Sequence, residues 1–123
     1  LSFVALRNGE VVASVRLTPV AAGEGHALLL GPLAVRPAHK NLGTGRKLVS
    51  IALKAASDNG HGVVILVGDE PYYGPLGFRV VPMGQILMPR PVDPRRLLAH
   101  EIRPGALAGF SGMVKHIDLA KRA

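Results

Sequence analysis

From Phe3 to Leu17 the chain runs through an Asn8-Gly9 dipeptide, after which Val11, Ala13, Val15 and Leu17 alternate with Val12, Ser14 and Arg16. Alternation of period two beside Asn-Gly predicts a β-hairpin closed by a two-residue turn. Pro19 to Gly25 reads as a loop, and Ala27 to Leu30 with Leu33 to Val35 as a third strand. Gly31-Pro32 lies inside that strand and predicts a bulge or a break in pairing, because proline brings no N–H to the ladder. After Gly45 the period changes to that of a helix, with Leu48, Ile51, Ala52 and Ala55 on one face and Lys47, Ser50, Lys54 and Asp58 largely opposite. Asn59-Gly60 is its stop signal. The run Val63 to Val67 predicts a strand buried on both faces. Asp69 then opens a short helical turn, limited by Pro75 and Gly77. Beyond Phe78, Pro82, Pro89, Pro91 and Pro94 mark a long connection with regular structure only around Gln85 to Met88. Arg96 to Ile102 and Phe110 to His116 read as late strands joined through Pro104-Gly105. The resulting order, β-β-β-α-β-α-β-β, predicts an α/β (α+β) fold with a sheet of mixed direction.

Composition narrows what such a fold does. The 123 residues are 48% hydrophobic, enough for one domain with a core and too few for two. No apolar run approaches the ~18 residues of a membrane span, and no basic-then-apolar leader stands at Leu1, so no membrane partner is expected. The absence of cysteine excludes disulfides and thiol nucleophiles and fits a reducing cytoplasm, the expected location. Fifteen Lys and Arg against eight Asp and Glu give a formal charge of +7, a field that attracts anions. Nucleic acid is one such anion. The basic residues form no block, however, and only 4% of residues are aromatic, which leaves little for base stacking.

The densest chemistry lies where the third strand runs into the helix. Lys40-Asn41-Leu42-Gly43-Thr44-Gly45, followed by Arg46 and Lys47, is a glycine-spaced turn opening a helix. Unpaired amides at a helix N-terminus attract phosphate, and glycines let a diphosphate approach the backbone. The turn lacks the Gly-Lys-Ser/Thr of a P-loop and the third glycine of a dinucleotide fingerprint. It resembles instead the Arg/Gln-x-x-Gly-x-Gly/Ala diphosphate loop of the GNAT superfamily of acetyl-CoA-dependent N-acetyltransferases, with Lys40 in place of the usual Arg or Gln. Tyr73-Gly74-Pro75-Leu76-Gly77-Phe78 is similar to that family's Tyr-x-x-x-Gly-Phe signature. Gly68-Asp69-Glu70-Pro71-Tyr72-Tyr73 resembles a bacterial subgroup of it. The resemblance spans residues 3 to 80 and, more loosely, the segment through Pro104 to Leu107.

The resemblance implies a GNAT-like, mainly antiparallel sheet with a splayed central strand and flanking helices, forming a single acetyltransferase domain over residues 1–123. Family members begin with a strand and two helices before the hairpin. This chain opens at Leu1 without them, so the expectation is a domain shortened at its N-terminus or one covered there by another chain, a homodimer among the options. Acetyl-CoA is the implied co-substrate, with an amine as acceptor and no metal. The implied coenzyme-binding residues are Leu33, Ala34 and Val35, through their backbone, and Lys40, Asn41, Leu42, Gly43, Thr44, Gly45 and Arg46. Tyr73 is the implied general acid that protonates the departing thiolate, and Tyr72 is packing or acceptor-site lining. The splayed strand carries no carboxylate, so Glu24 and His26 are the candidate bases, with Asp69 a further one. The five histidines show no paired ligand spacing. Gly109-Phe110-Ser111-Gly112 misses the Gly-x-Ser-x-Gly elbow by one position. Two alternatives stay open: a catalytically silent acyl-CoA-binding or sensor domain, and a basic nucleic-acid-binding module.

Overall fold

The computed structural model describes residues 1–40 and 42–116. Strand β1 (Ser2–Arg7) and strand β2 (Glu10–Ala22) form the expected hairpin. Its turn places Asn8 at φ 53° and Gly9 at φ 80°, the two left-handed positions for which Asn-Gly is suited. Strand β2 corrects the expected loop, because it continues through Pro19 to Ala22 paired with β3 (Gly25–Val35). The Leu17 N–H donates to the Leu1 carbonyl at 2.7 Å, so the nitrogens of Leu17 and Pro19 face the β1 side. No described strand lies alongside Pro19 there, since β1 reaches Leu17 and the late strand β9 (Lys115–His116) joins β2 only at Val20 and Ala21. A missing N–H costs nothing at such a position.

Strand β3 carries the predicted irregularity. Val15 pairs with Leu33 and Leu17 with Leu30, so Arg16 stands opposite the two residues Gly31 and Pro32. The φ of 139° at Gly31 is a value that glycine takes readily. Toward its other neighbour, β4 (Val63–Val67), β3 pairs in parallel only at Leu28 and Leu29. Past that point the two strands separate.

Helix α1 (Thr44–Asp58) fills the space after β3, capped at its far end by Asn59, whose backbone and side-chain nitrogens both donate to the Ala55 carbonyl. Its buried residues are Gly45, Leu48, Val49, Ala52 and Ala56. That face is rotated from the expected one, since Ile51 is 46% exposed and Ala55 only half-buried. Gly45 lies against the Val35 and Leu33 side chains, and the buried residues one, two and three turns further on share its face.

Strand β4 is apolar on both faces because both are covered. Val64 and Leu66 join the core under α1, while Val63 and Ile65 join a second core with Phe110 and Val114. Strand β7 (Leu97–Glu101) runs antiparallel to β4, and β5 (Arg79–Val80) pairs with β7. Arg96 belongs to a 3-10 turn, Pro94–Arg96, rather than to the expected strand. Phe110 to His116 likewise divides: Gly112–Met113 (β8) pairs in parallel with Ile86–Leu87 (β6), and β9 returns to β2. Val114 stands at the split, buried in the second core with its N–H donating to the Leu87 carbonyl at 2.8 Å.

Helix α2 (Glu70–Tyr73) runs into a 3-10 turn, Gly74–Leu76, and Gly77 at φ 95° reverses the chain. A Cβ at Gly77 would sit 2.5 Å from His100 Nδ1, and the next residue, Phe78, is fully buried. The Gly-Phe half of the signature is therefore architectural: it anchors α2 over the C-terminal end of β4. Asp69 caps α2 through its carbonyl, which accepts from the Tyr72 and Tyr73 N–H groups at 3.0 and 3.1 Å, while its carboxylate pairs with Arg96 at 3.2 Å. Among the described residues no helix is long and apolar enough to cross a membrane, and no cluster of His, Asp and Glu is placed to hold a metal ion.

Candidate functional site

The divergence of β3 and β4 opens a cleft of about 570 Å³ lined by Leu33, Ala34, Val35, His39, Lys40, Gly43, Gly45, Arg46 and Tyr72. Three walls with different chemistry meet there. The first is the free edge of β3. The Arg36 N–H donates to the Val12 carbonyl at 2.9 Å, so by antiparallel alternation Ala34 turns its backbone toward β2, and Leu33 and Val35 present theirs to the cleft. The expected trio thus narrows to two residues whose amides and carbonyls can accept an added extended chain.

The second wall is the start of α1. Its first helical hydrogen bond runs from the Lys47 N–H to the Gly43 carbonyl at 3.0 Å, leaving the N–H groups of Thr44, Gly45 and Arg46 without helical acceptors. No side chain among the described residues caps them. The two glycines of this turn serve different ends. Gly43 has φ 79° and open space around a built Cβ, so its requirement is conformational. Gly45 has ordinary helical backbone, and its requirement is room: a Cβ would lie 2.6 Å from Tyr72 Oη and 3.2 Å from Val35 Cγ2. Lys40 and Arg46 stand exposed at the rim, and uncapped amides with two cations make a favourable place for an anion.

The third wall is α2. Tyr72 forms it directly, with the Arg46 guanidinium 4.9 Å from its ring centre. Tyr73 stands behind, its ring edge-on to Tyr72 at 4.8 Å and to Phe78 at 5.8 Å. A Cβ at Gly68 would fall 2.5 Å from the Tyr73 ring, so the glycine at the end of β4 makes room for it. Burial, aided by the Tyr72 and Asp69 charges and opposed by Arg96, pushes the Tyr73 phenol above its ordinary 10.0. The folded chain therefore holds this proton when the unfolded chain has lost it, and the stability present below pH 10 declines as pH rises through the folded value. An absorbance titration of tyrosinate should show a component above pH 10 that Tyr73→Phe deletes; an unchanged curve in that variant would contradict this environment.

Several expected residues lie elsewhere. Leu42 and Thr44 face a separate groove against β1 with Val4, Leu6, Lys47 and Ile51, and Asn41 falls outside the described residues. Glu24 and His26 line a hollow with His61 and Arg103 at the opposite end of β3. His26 is seven residues from Leu33, about 23 Å along a strand. The cleft thus draws on neither Glu24 nor His26, and among the described residues no carboxylate lines it. His39 is a lining residue that no motif marks, and Tyr72, marked by the Gly68 to Tyr73 segment and expected as packing or acceptor-site lining, stands beside the glycine turn.

Among solved structures, the GNAT family N-acetyltransferase YhbS from Escherichia coli in complex with CoA is 27% identical, with a TM-score of 0.84, over 94% of this chain and 66% of that one. A GNAT family acetyltransferase from Brucella melitensis in complex with acetyl-CoA is 29% identical, with a TM-score of 0.62, over 81% and 65%. A GNAT acetyltransferase from Staphylococcus aureus Mu50, at 17% identity and a TM-score of 0.68 over 83% and 67%, shares the fold. The chain spans about two thirds of the length of these relatives. No curated protein sequence matches it. The acetyltransferase (GNAT) family model matches residues 1–78, more than half of the chain, and with the splayed cleft, the uncapped loop and the tyrosine turn in place, the chain belongs to that family.

Proposed function

We propose that the cleft binds acetyl-CoA and that the protein transfers the acetyl group directly from the thioester to an amine. The observation that carries this reading is the meeting, in one cleft, of a free strand edge, an uncapped helix N-terminus with two cations, and the tyrosine turn. The edge of Leu33 and Val35 holds the pantetheine arm as an added strand, and the amides of Thr44 to Arg46 hold the diphosphate. The coenzyme supplies an activated acetyl thioester. Tyr73 keeps its proton across the neutral range and gives it to the departing thiolate. With no carboxylate among the described residues that line the cleft, deprotonation of the amine falls to water or to an acceptor that arrives neutral.

The same absence favours a second reading, a domain that binds acyl-CoA and transfers nothing. Mass spectrometry after incubation with acetyl-CoA and a mixed pool of amines, peptides and proteins separates the two. An acetylated product above the no-enzyme control is expected. Tight CoA binding with no product would make the silent domain the better reading, and no CoA binding at all would sink both.

A further inference from the structure

Tyr72 is the one tyrosine among the described residues that line the cleft, and neither the diphosphate loop nor the Tyr-x-x-x-Gly-Phe turn accounts for its place there. Its hydroxyl lies within 2.6 Å of where a Gly45 Cβ would be, beside the uncapped amides of α1. Among the described residues no protein group hydrogen-bonds that hydroxyl, and the half-buried side chain lines the cleft. The ring meanwhile lies beneath the Arg46 guanidinium, 4.9 Å from its centre. A phenol beside a cationic, amide-lined turn is placed to donate to an anion held there.

We propose that Tyr72 is a diphosphate-recognition residue: its hydroxyl donates to a phosphate oxygen of the coenzyme, while its ring holds Arg46 over the same group. The inference rests on the coenzyme reading above and deepens it. It assigns adjacent tyrosines separate tasks, Tyr72 in affinity and Tyr73 in proton transfer. It also gives Gly45 a second reason to be glycine, since any side chain there displaces Tyr72 before it meets the ligand.

The test is calorimetric titration of the wild-type chain, Tyr72→Phe, Gly45→Ala and the double variant with CoA and with dephospho-CoA, and competition by pantetheine, which has no phosphate. Tyr72→Phe keeps the ring and should weaken CoA and dephospho-CoA by the same factor, roughly tenfold, the loss of one hydrogen bond to a charged group. Pantetheine affinity should stay near wild type, since pantetheine carries no phosphate for the hydroxyl to meet. Gly45→Ala should cost less affinity in the Tyr72→Phe background than alone, because the 2.6 Å contact is gone and the next, 3.2 Å to Val35 Cγ2, yields more easily. Unchanged CoA affinity in Tyr72→Phe, an equal loss for pantetheine, or strictly additive effects in the cycle would each overturn the assignment while leaving the coenzyme reading standing. A wild-type chain that binds no CoA would remove both.

Discussion

Tyr73→Phe is expected to lower turnover roughly 10²–10⁴-fold with little change in CoA affinity, the range for a positioned general acid. The substitution keeps the ring, and the ring is what the fold uses: it sits against Gly68, edge-on to Phe78 and Tyr72. Only the hydroxyl is lost. Burial has two effects on this phenol. It raises the phenol above 10.0, which makes it a weaker acid but keeps it fully protonated at neutral pH. An alkyl thiol's ordinary pKa is of the same order as a phenol's, so the transfer to the departing thiolate is not steeply uphill. Full turnover in Tyr73→Phe, under conditions where chemistry limits the rate, would remove Tyr73 from the mechanism. So would a kcat loss of this size in Tyr72→Phe with Tyr73 intact.

Where the sequence was legible, one local interaction dominated. Asn8-Gly9 predicts its turn because few other dipeptides take two positive φ values, and the structure has them at 53° and 80°. The run Val63 to Val67 predicts burial on both faces because nothing polar interrupts it, and two separate cores cover it. The prediction lost its hold where a distant partner decided the outcome. Pro19 marked the end of a strand by local rules, yet β2 continues because the missing N–H falls where no described strand needs it. The face of α1 is not legible because Ile51 and Val49 are both apolar, and packing against the sheet buries Val49 with Leu48, Ala52 and Ala56 while Ile51 stays exposed.

The site shows the same division. The turn around Gly43 and Gly45 was legible because phosphate recognition by a helix N-terminus is local. Its neighbours were not: Leu42 and Thr44 flank the glycines in sequence but face the β1 groove, while His39 and Tyr72, outside the loop motif, line the cleft. Glu24 and His26 were candidates because they precede the splayed strand. An eleven-residue strand carries them to the far end of the sheet.

Gly45→Val should weaken CoA binding at least tenfold while the chain remains folded, and Gly43→Ala should do much less to affinity. The comparison works because the two glycines are constrained by different forces. At Gly43 the surroundings are open, and an added methyl meets only the backbone strain of φ 79°, on the order of 1 kcal/mol for a non-glycine residue. At Gly45 the backbone is indifferent and the surroundings are full. A Cβ meets Tyr72 Oη at 2.6 Å and Val35 Cγ2 at 3.2 Å, and the two further methyls of valine press on both walls of the cleft. The strain of overpacking, typically about 1–3 kcal/mol, falls on α2 and the β3 edge, the elements that shape the coenzyme site. Calorimetry with CoA, paired with thermal unfolding of each variant, reads the two effects separately. Wild-type CoA affinity in a folded Gly45→Val chain would take the α1 N-terminus out of the binding site, and an equal loss in Gly43→Ala would mean that loop conformation, not room beside Tyr72, controls it.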